Sequence, residues 1–135
     1  DRSVSRGLGD VYKRQITYGN TTHFCLHAAE RLEKEGGWKV EVIDIRSLIP
    51  LDKEAIFESV KKTSKALVVH EDKVFSGFGA ELAAMIGEEM FRYLDGPVQC
   101  VGSTFTPVGF NPILEKEILP DEAKIYEAAR KLLEY

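Results

Sequence analysis

Along residues 16–135, two spacings of apolar side chains alternate. Short runs rich in β-branched residues have the length of strands, whereas the segments between them repeat apolar residues every three or four positions, as amphipathic helices do. The strand-like runs are "ITYG" (16–19), "WKVEVIDI" (38–45), "KALVVHE" (65–71) and "PVQCV" (97–101). The helix-like segments are 20–37, 48–63, 77–94 and the stretch after Pro120. Strands that alternate with helices of this length predict an α/β domain.

Residues typical of helix ends support this division. Asn20 or Thr21 can cap the first helix, and Asp52 is the expected N-cap of the second. Pro120 and Asp121 mark the start of the last helix. The run "KALVVHE" does not alternate apolar and polar residues, which is typical of a strand buried on both faces. We therefore expect a three-layer αβα sandwich around a mostly parallel, mixed sheet of about five strands.

Residues 1–15 show neither spacing. They carry four basic and two acidic side chains, without an initiator Met or the apolar stretch of a secretory signal. The string "SRGLGDVYKRQ", from Ser5 to Gln15, resembles one reading frame of an adapter used in transposase-based sequencing libraries. The resemblance implies a non-native tail at 1–15, and a natural disordered N-terminus is the alternative. In both cases we expect the folded domain to span residues 16–135.

Composition and charge narrow the classes of function. Of the 135 residues, 44% are hydrophobic and 30% charged, which is typical of a globular domain. The formal net charge is −4, and since the tail contributes +2, residues 16–135 carry −6. Such an acidic domain suits a basic protein partner better than a nucleic-acid backbone. No apolar run reaches the length of a membrane span, and Cys25 and Cys100 lack the paired spacing of a disulfide framework or zinc site.

The segment "VVHEDKVFSGFGAE" is the first candidate site. In open α/β sheets ligands bind beyond the carboxyl ends of strands, and His70, Glu71 and Asp72 follow one predicted strand. A histidine beside two acids has the groups for acid–base chemistry, and Gly77 and Gly79 allow an anion to approach a helix N-terminus. However, the segment lacks the third glycine of a dinucleotide fingerprint and the Lys-Ser/Thr of a P-loop. The structural alternative is that the glycines allow a tight turn and a close approach of two chain segments.

Other chemistry-bearing residues form no complete set. His23 and His27 have the i, i+4 spacing of metal ligands, but no third ligand is evident. Ser103 has no general base beside it in the sequence. The predicted helix at 77–94 has a face of small residues, which lets it approach a neighbour closely; they are Ala80, Ala83, Ala84 and Gly87.

The order of the sequence motifs, more than any single motif, resembles the C-terminal domain of the transketolase family. The matching runs are "VIDIRSLIPLDKEAIFESVKKTSKALVVHED", "GFGAELAAMIGEE", "LDGPVQCVGSTFTPVGFN" and "LEKEILPDEAKI". Within that family the chain is most similar to the beta subunit of the thiamine-diphosphate-dependent decarboxylating component of 2-oxo acid dehydrogenase complexes. One departure is Cys100, at a position where the family usually has an arginine that can form an ion pair.

The resemblance implies a part of an enzyme. In the family, an upstream domain holds the pyrimidine ring of thiamine diphosphate and the activating glutamate, and the alpha subunit holds the diphosphate through Mg²⁺. The resemblance therefore implies no catalytic, cofactor-binding or metal-binding residue in this segment, with thiamine diphosphate and Mg²⁺ bound elsewhere in the full assembly. The implied activity of the whole is oxidative decarboxylation of a 2-oxo acid with acyl transfer to a lipoyl group, in the bacterial cytoplasm or the mitochondrial matrix.

The implied role of this domain is assembly. Its implied partners are the alpha subunit or a fused alpha region, a second beta subunit and the subunit-binding domain of a dihydrolipoyl acyltransferase, with neither nucleic acid nor membrane. The candidate residues at a subunit interface or at the active-site periphery are His70, Glu71, Gly77, Phe78 and Gly79, and the candidate docking end is Glu134 and Tyr135. The alternatives are the C-terminal domain of a transketolase or deoxyxylulose-phosphate synthase, and a non-enzymatic flavodoxin-like binding module.

Overall fold

Four parallel strands and one short antiparallel edge strand form a single sheet in the computed structural model, which describes residues 4–6 and 13–135, with side chains from Gln15 onward. The strands are β1 (Val4–Arg6), β2 (Lys13–Thr17), β3 (Val40–Asp44), β4 (Ala66–Lys73) and β5 (Gln99–Ser103), in the order β1-β3-β2-β4-β5. Only β1 is antiparallel to its neighbour, β3. The α/β class with a mostly parallel, mixed sheet is confirmed, although residues 13–135 supply four strands rather than about five.

Helices cover both faces of this sheet. They are α1 (Thr21–Gly36), α2 (Lys53–Thr63), α3 (Phe78–Glu89), α4 (Pro112–Ile118) and α5 (Glu122–Leu133). Val68 of β4 packs with side chains of α2 and α3, while Leu67 and Val69 pack with those of α1 and α5. Because the first half of β4 is buried on both sides, residues 66–69 are apolar without alternation. None of the helices in the described part of the chain is long and apolar enough to cross a membrane.

Two of the expected helix caps are observed. Asp52 Oδ1 accepts a hydrogen bond from the Ala55 N–H at 3.1 Å, and Asp121 Oδ1 accepts one from the Lys124 N–H at 2.9 Å. Asn20 occupies the N-cap position of α1, but its side chain makes no capping hydrogen bond. The starts of α2 and α5 are therefore readable from local sequence, whereas neither α1 nor α3 has a side-chain cap.

Several element boundaries differ from the sequence-based expectation. β2 begins at Lys13, so three residues of the expected tail belong to the sheet, and Gln15 is buried there. β1 also lies in that segment, whose residues 1–3 and 7–12 are outside the described part; a non-native origin of the tail stays a prediction. α3 ends at Glu89, and a single 3-10 turn follows it. α4 is an additional helix, capped by the side chain of Asn111.

Candidate functional site

His70 is at the centre of the candidate site at the carboxyl edge of the sheet. It lies in β4, and its side chain is fully buried. The imidazole stacks on the ring of Tyr18, with 6.1 Å between centroids and 11° between planes. Its Nε2 lies 3.2 Å from Cys100 Sγ on β5. Three strands, β2, β4 and β5, thus bring one aromatic ring, one imidazole and one thiol together.

An irregularity in the pairing of β4 with β5 shapes this site. Val69 pairs with Val101 and Lys73 pairs with Ser103, so three residues of β4 oppose the single residue Gly102. Such bulges bend a strand and redirect its side chains, and they are frequent beside functional sites. Here the bulge places His70 under the loop that leads into α3.

Three glycines lie against the His70 ring. At each of these positions a side chain would come too close to neighbouring atoms. A Cβ on Gly79 would overlap His70 Nε2 and lie 3.0 Å from Cys100 Sγ. A Cβ on Gly102 would lie 3.2 Å from His70 Nε2, and one on Gly77 would overlap the Lys73 carbonyl oxygen and lie 3.1 Å from His70 Cε1. The close-approach interpretation of Gly77 and Gly79 therefore accounts for both residues.

The electrostatics of the cluster leave its groups neutral near pH 7. Burial lowers the pKa of His70, and the nearby Asp72 carboxylate opposes this only in part. Burial raises the pKa of the Cys100 thiol to about 11. A nucleophilic cysteine beside histidine needs a depressed thiol pKa. These shifts disfavour a thiolate–imidazolium pair, and we describe the His70–Cys100 contact as a neutral hydrogen bond.

The predicted acid–base pair is not brought together. Glu71 is exposed, and its carboxylate accepts a hydrogen bond from Asn20 Nδ2 at 3.4 Å instead of contacting His70. The Glu71 carbonyl oxygen accepts a hydrogen bond from the Ser103 hydroxyl, which gives that serine a structural role. Phe78 is half-buried, with its ring edge-on to Tyr18 at 6.0 Å. Of the five predicted residues, His70, Gly77 and Gly79 meet directly and Phe78 borders them.

Beyond the bulge, two loops join and present aromatic side chains. The Val74 N–H donates to the Ser103 carbonyl oxygen at 3.1 Å, and Lys73 Nζ donates to the Thr106 carbonyl oxygen at 2.6 Å. The rings of Phe75 and Phe105 lie 4.9 Å apart and are mostly exposed. We call residues 71–77 and 102–106 the loop pair, and it forms the outer surface of the candidate site.

The second predicted site, Glu134 and Tyr135, lies at the opposite, amino edge of the sheet. Tyr135 packs against Gly96, just before β5, where an added Cβ would lie 3.2 Å from the tyrosine ring. Glu134 pairs with Arg130 at 3.4 Å between Oε1 and Nη1. Tyr135, but not Glu134, lines a groove of about 510 Å³, whose lining residues are Ala83, Gly87, Phe91, Leu94, Gly96, Pro97, Val98 and Tyr135.

The small-residue face of α3 is partly open in this chain. The buried positions of the helix are Gly79, Leu82 and Ile86, whereas Ala83 and Gly87 line the groove at the amino edge. The expected close packing of that face is therefore only partial among the described elements: Ala83 packs against the core, whereas Ala84 is exposed.

The histidine pair of α1 has no partner set for a metal. His23 and His27 are both exposed, and His27 Nδ1 lies 3.8 Å from Glu122 Oε2. Across residues 4–6 and 13–135, no group of three or more His, Cys, Asp or Glu side chains is placed to share a metal ion. The pair is best described as a solvated part of α1.

Comparison with known families gives the class of the chain. A family-wide sequence profile described as "Transketolase, C-terminal domain" matches residues 15–125. The chain therefore belongs to the transketolase C-terminal domain family, as the order of its motifs predicts.

Several individual proteins of known name are similar to the chain over most of its length. The chain is 41% identical over 121 residues to the 2-oxoisovalerate dehydrogenase subunit beta of Bacillus subtilis, covering 89% of this chain and 37% of that protein. It is 40% identical over 119 residues to the mitochondrial pyruvate dehydrogenase E1 component subunit beta of Saccharomyces cerevisiae, covering 87% and 32%. A solved split-gene transketolase, an inactive beta4 tetramer, matches with a TM-score of 0.75 and 28% identity over 98% of this chain and 41% of that chain. The chain thus spans about a third of the length of these curated relatives.

Proposed function

We propose that this chain is the C-terminal assembly domain of the decarboxylating component of a 2-oxo acid dehydrogenase, in a beta subunit or a fused alpha/beta chain. In that role it supports oxidative decarboxylation of a 2-oxo acid and acyl transfer to a lipoyl arm. One observation carries the proposal: beta subunits of 2-oxoisovalerate and pyruvate dehydrogenases are 41% and 38% identical to the chain, over 89% of it in each case.

The proposed full assembly uses thiamine diphosphate, which supplies the carbanion chemistry, together with Mg²⁺. The described residues of this chain do not fit either group. The His70–Cys100 contact is buried, neutral and enclosed by glycines, and no acidic cluster for Mg²⁺ accompanies it. We therefore assign the binding of thiamine diphosphate and Mg²⁺ to other domains of the assembly.

The carboxyl edge is the proposed contact with the alpha subunit, or fused alpha region, and the second beta subunit. Phe75 and Phe105 support this assignment, because they are 65% and 70% exposed and form one apolar surface. Exposed aromatic patches of this kind are typical of interaction sites. In this arrangement His70, Gly77 and Gly79 act from beneath by fixing the shape of the loop pair.

The amino edge is the proposed docking end for the basic subunit-binding domain of an acyltransferase. Two properties support it: the −6 charge of residues 16–135 and the apolar groove lined by Tyr135. An acidic domain with an apolar groove favours a partner that combines Lys or Arg with an apolar anchor.

A graft tests the proposed function. Residues 13–135 replace the matching part of the B. subtilis 2-oxoisovalerate dehydrogenase beta subunit, which is then co-expressed with its alpha subunit. We expect an alpha/beta complex by light scattering and decarboxylation of 2-oxoisovalerate with an artificial electron acceptor. The matched control is the same graft with Gly79→Val, which should fail to assemble because the substituted side chain overlaps His70.

The outcomes separate the alternatives. A graft that folds but does not pair with the alpha subunit would contradict the proposal. If the same residues restore assembly only when they are grafted into a transketolase, the transketolase alternative holds. Failure in both hosts, with a folded isolated chain, would leave the binding-module alternative.

A further inference from the structure

His70 differs from the other histidines of the chain in burial and in the charges around it. His23 and His27 are exposed on α1, whereas the His70 side chain has no solvent-accessible surface. Its Nε2 contacts the Cys100 thiol, and its Nδ1 has no hydrogen-bond partner among the described residues. A positive charge on this ring would therefore be buried without a hydrogen-bonded counter-ion, which is strongly unfavourable.

The groups that face the ring come from every element packed on it. β2 ends beside Tyr18, β5 contributes Cys100 and Gly102, and the start of α3 contributes Gly77 and Gly79. Among the side chains that the structure describes, from Gln15 onward, the charged group that acts on the ring is Asp72, on the bulge itself. Asp72 is exposed and its Oδ1 accepts a hydrogen bond from the Lys73 N–H at 2.8 Å. It offsets only part of the cost of charging the imidazole.

We propose that His70 is a proton-sensitive lock on the loop pair: the loops close over the neutral imidazole, and protonation opens them. The loops are the parts that must move, because Gly77 and Gly102, which belong to the loop pair, lie directly on the ring. Opening them exposes the ring to water, which is the alternative to holding an unpaired buried charge. The same loops carry Phe75 and Phe105, so acidification removes the apolar surface at the carboxyl edge.

The pKa of His70 determines whether the closed state gains or loses stability as pH falls. Burial lowers this pKa in the closed state, whereas an opened, solvated histidine has an ordinary pKa of about 6.5. The open state therefore binds more protons, and closure is favoured as pH rises. The closed state is fully favoured above about pH 6.5 and loses stability as pH falls below that value toward the lowered pKa of the closed state. This inference does not depend on the proposed enzyme assembly.

Native-state hydrogen exchange on the 135-residue chain tests the lock. The reporters are the amides of Val74, bonded to the Ser103 carbonyl oxygen, and Ala80, bonded to the Gly77 carbonyl oxygen, each at 3.1 Å. Below pH 6.5 their protection factors should fall by up to about tenfold per pH unit, since one proton is taken up on opening. The amide of Ile125, in α5, is the internal reference and should lose less protection over the same range.

Matched histidine variants decide the origin of the effect. His70→Gln, which is neutral at all pH values, should abolish the pH dependence of Val74 and Ala80, while His27→Gln should retain it. If His70→Gln does not fold, the NMR titration of the wild-type His70 imidazole decides, with its pKa expected below the ordinary histidine value of about 6.5. An ordinary pKa for His70, or unchanged pH dependence in His70→Gln, would overturn the proposal.

Discussion

The two edges of the parallel sheet differ in how tightly their side chains are packed. At the carboxyl edge, a polar ring is fully buried, and a Cβ added to any of three glycines would come within 3.2 Å of its atoms. At the amino edge, Phe91 and Tyr135 are 76% and 74% exposed beside a groove of about 510 Å³. The carboxyl edge is therefore closely packed, whereas the amino edge leaves apolar side chains exposed to solvent.

The difference has a consequence for how each edge responds to change. Where atoms are already in van der Waals contact, added volume forces side chains and backbone to shift, and the whole domain loses stability. Where surface is exposed, substitutions change stability little, and they act on whatever binds there. We therefore expect variants at the carboxyl edge to affect folding and variants at the amino edge to affect association.

The largest effect is expected from Gly79→Val at the carboxyl edge. The new side chain would overlap the His70 imidazole and crowd Cys100 Sγ, which lies 3.0 Å from the added Cβ. We expect a loss of about 3 kcal/mol in the free energy of unfolding, at the upper end for an overpacked core. Urea denaturation of the 135-residue chain measures it. A midpoint equal to that of the parent chain would show that the glycines are not needed for close approach.

The thiol at the same edge should be protected from alkylation. The pKa of Cys100 is raised from 9.0 to about 11 by burial, which leaves about a hundredfold less thiolate at pH 8 than in the unfolded chain. We expect iodoacetamide to modify Cys100 about a hundredfold more slowly in the native chain than in urea, as measured by peptide mass spectrometry.

The alkylation rate measured at several pH values distinguishes two causes of slow modification: a raised thiol pKa and limited access of the reagent. In the native chain the alkylation rate of Cys100 should continue to rise about tenfold per pH unit up to pH 10, since its pKa lies above that range. In the unfolded chain the rate should level off near pH 9. A native rate that levels off at the same pH would contradict the raised pKa.

At the amino edge, removal of residues 134–135 should impair docking while preserving the fold. Neither residue is buried, so unfolding stability should change by no more than about 0.5 kcal/mol. The affinity for a basic subunit-binding domain should fall about fivefold, or about 1 kcal/mol, as one exposed ionic contact is lost. Calorimetry with the grafted beta subunit, with and without the two residues, measures this difference.

Added salt provides the control for that docking contact. The Debye length falls from about 10 Å at 0.1 M to about 3 Å at 1 M, so an ionic contribution is screened. The intact and truncated chains should therefore bind with more similar affinities at high salt. Affinities that respond neither to salt nor to truncation would exclude the docking role of this edge.

Local sequence patterns predicted the elements that depend on local chemistry. β4 was readable because a strand buried on both faces must be apolar throughout, and α2 and α5 were readable from the cap residues Asp52 and Asp121. The Asn111-Pro112 pair that begins α4 is an equally local signal, and it could have predicted that helix.

The residues that surround His70 are determined by how the strands pair with one another, and local sequence does not specify that pairing register. Tyr18 and Cys100 come from other strands, and only the pairing of Val69 with Val101 and the following bulge bring them to His70. The sequence also did not show which face of α3 is buried, because small and large apolar residues both repeat at helical spacing there. In the structure, the face with Leu82 and Ile86 packs against the sheet.

The smallest expected effect is a gain of stability from Gly87→Ala at the amino edge, which is the matched counterpart of Gly79→Val. Both glycines lie in α3, but an added Cβ on Gly87 would have no atom within 4 Å beyond its own helix surroundings. Because alanine costs less backbone entropy than glycine in a helix, the free energy of unfolding should rise by about 0.5–1 kcal/mol. The same urea melts measure it. A loss of stability instead would mean that the groove edge is as tightly packed as the His70 cluster, and the contrast between the two edges would not hold.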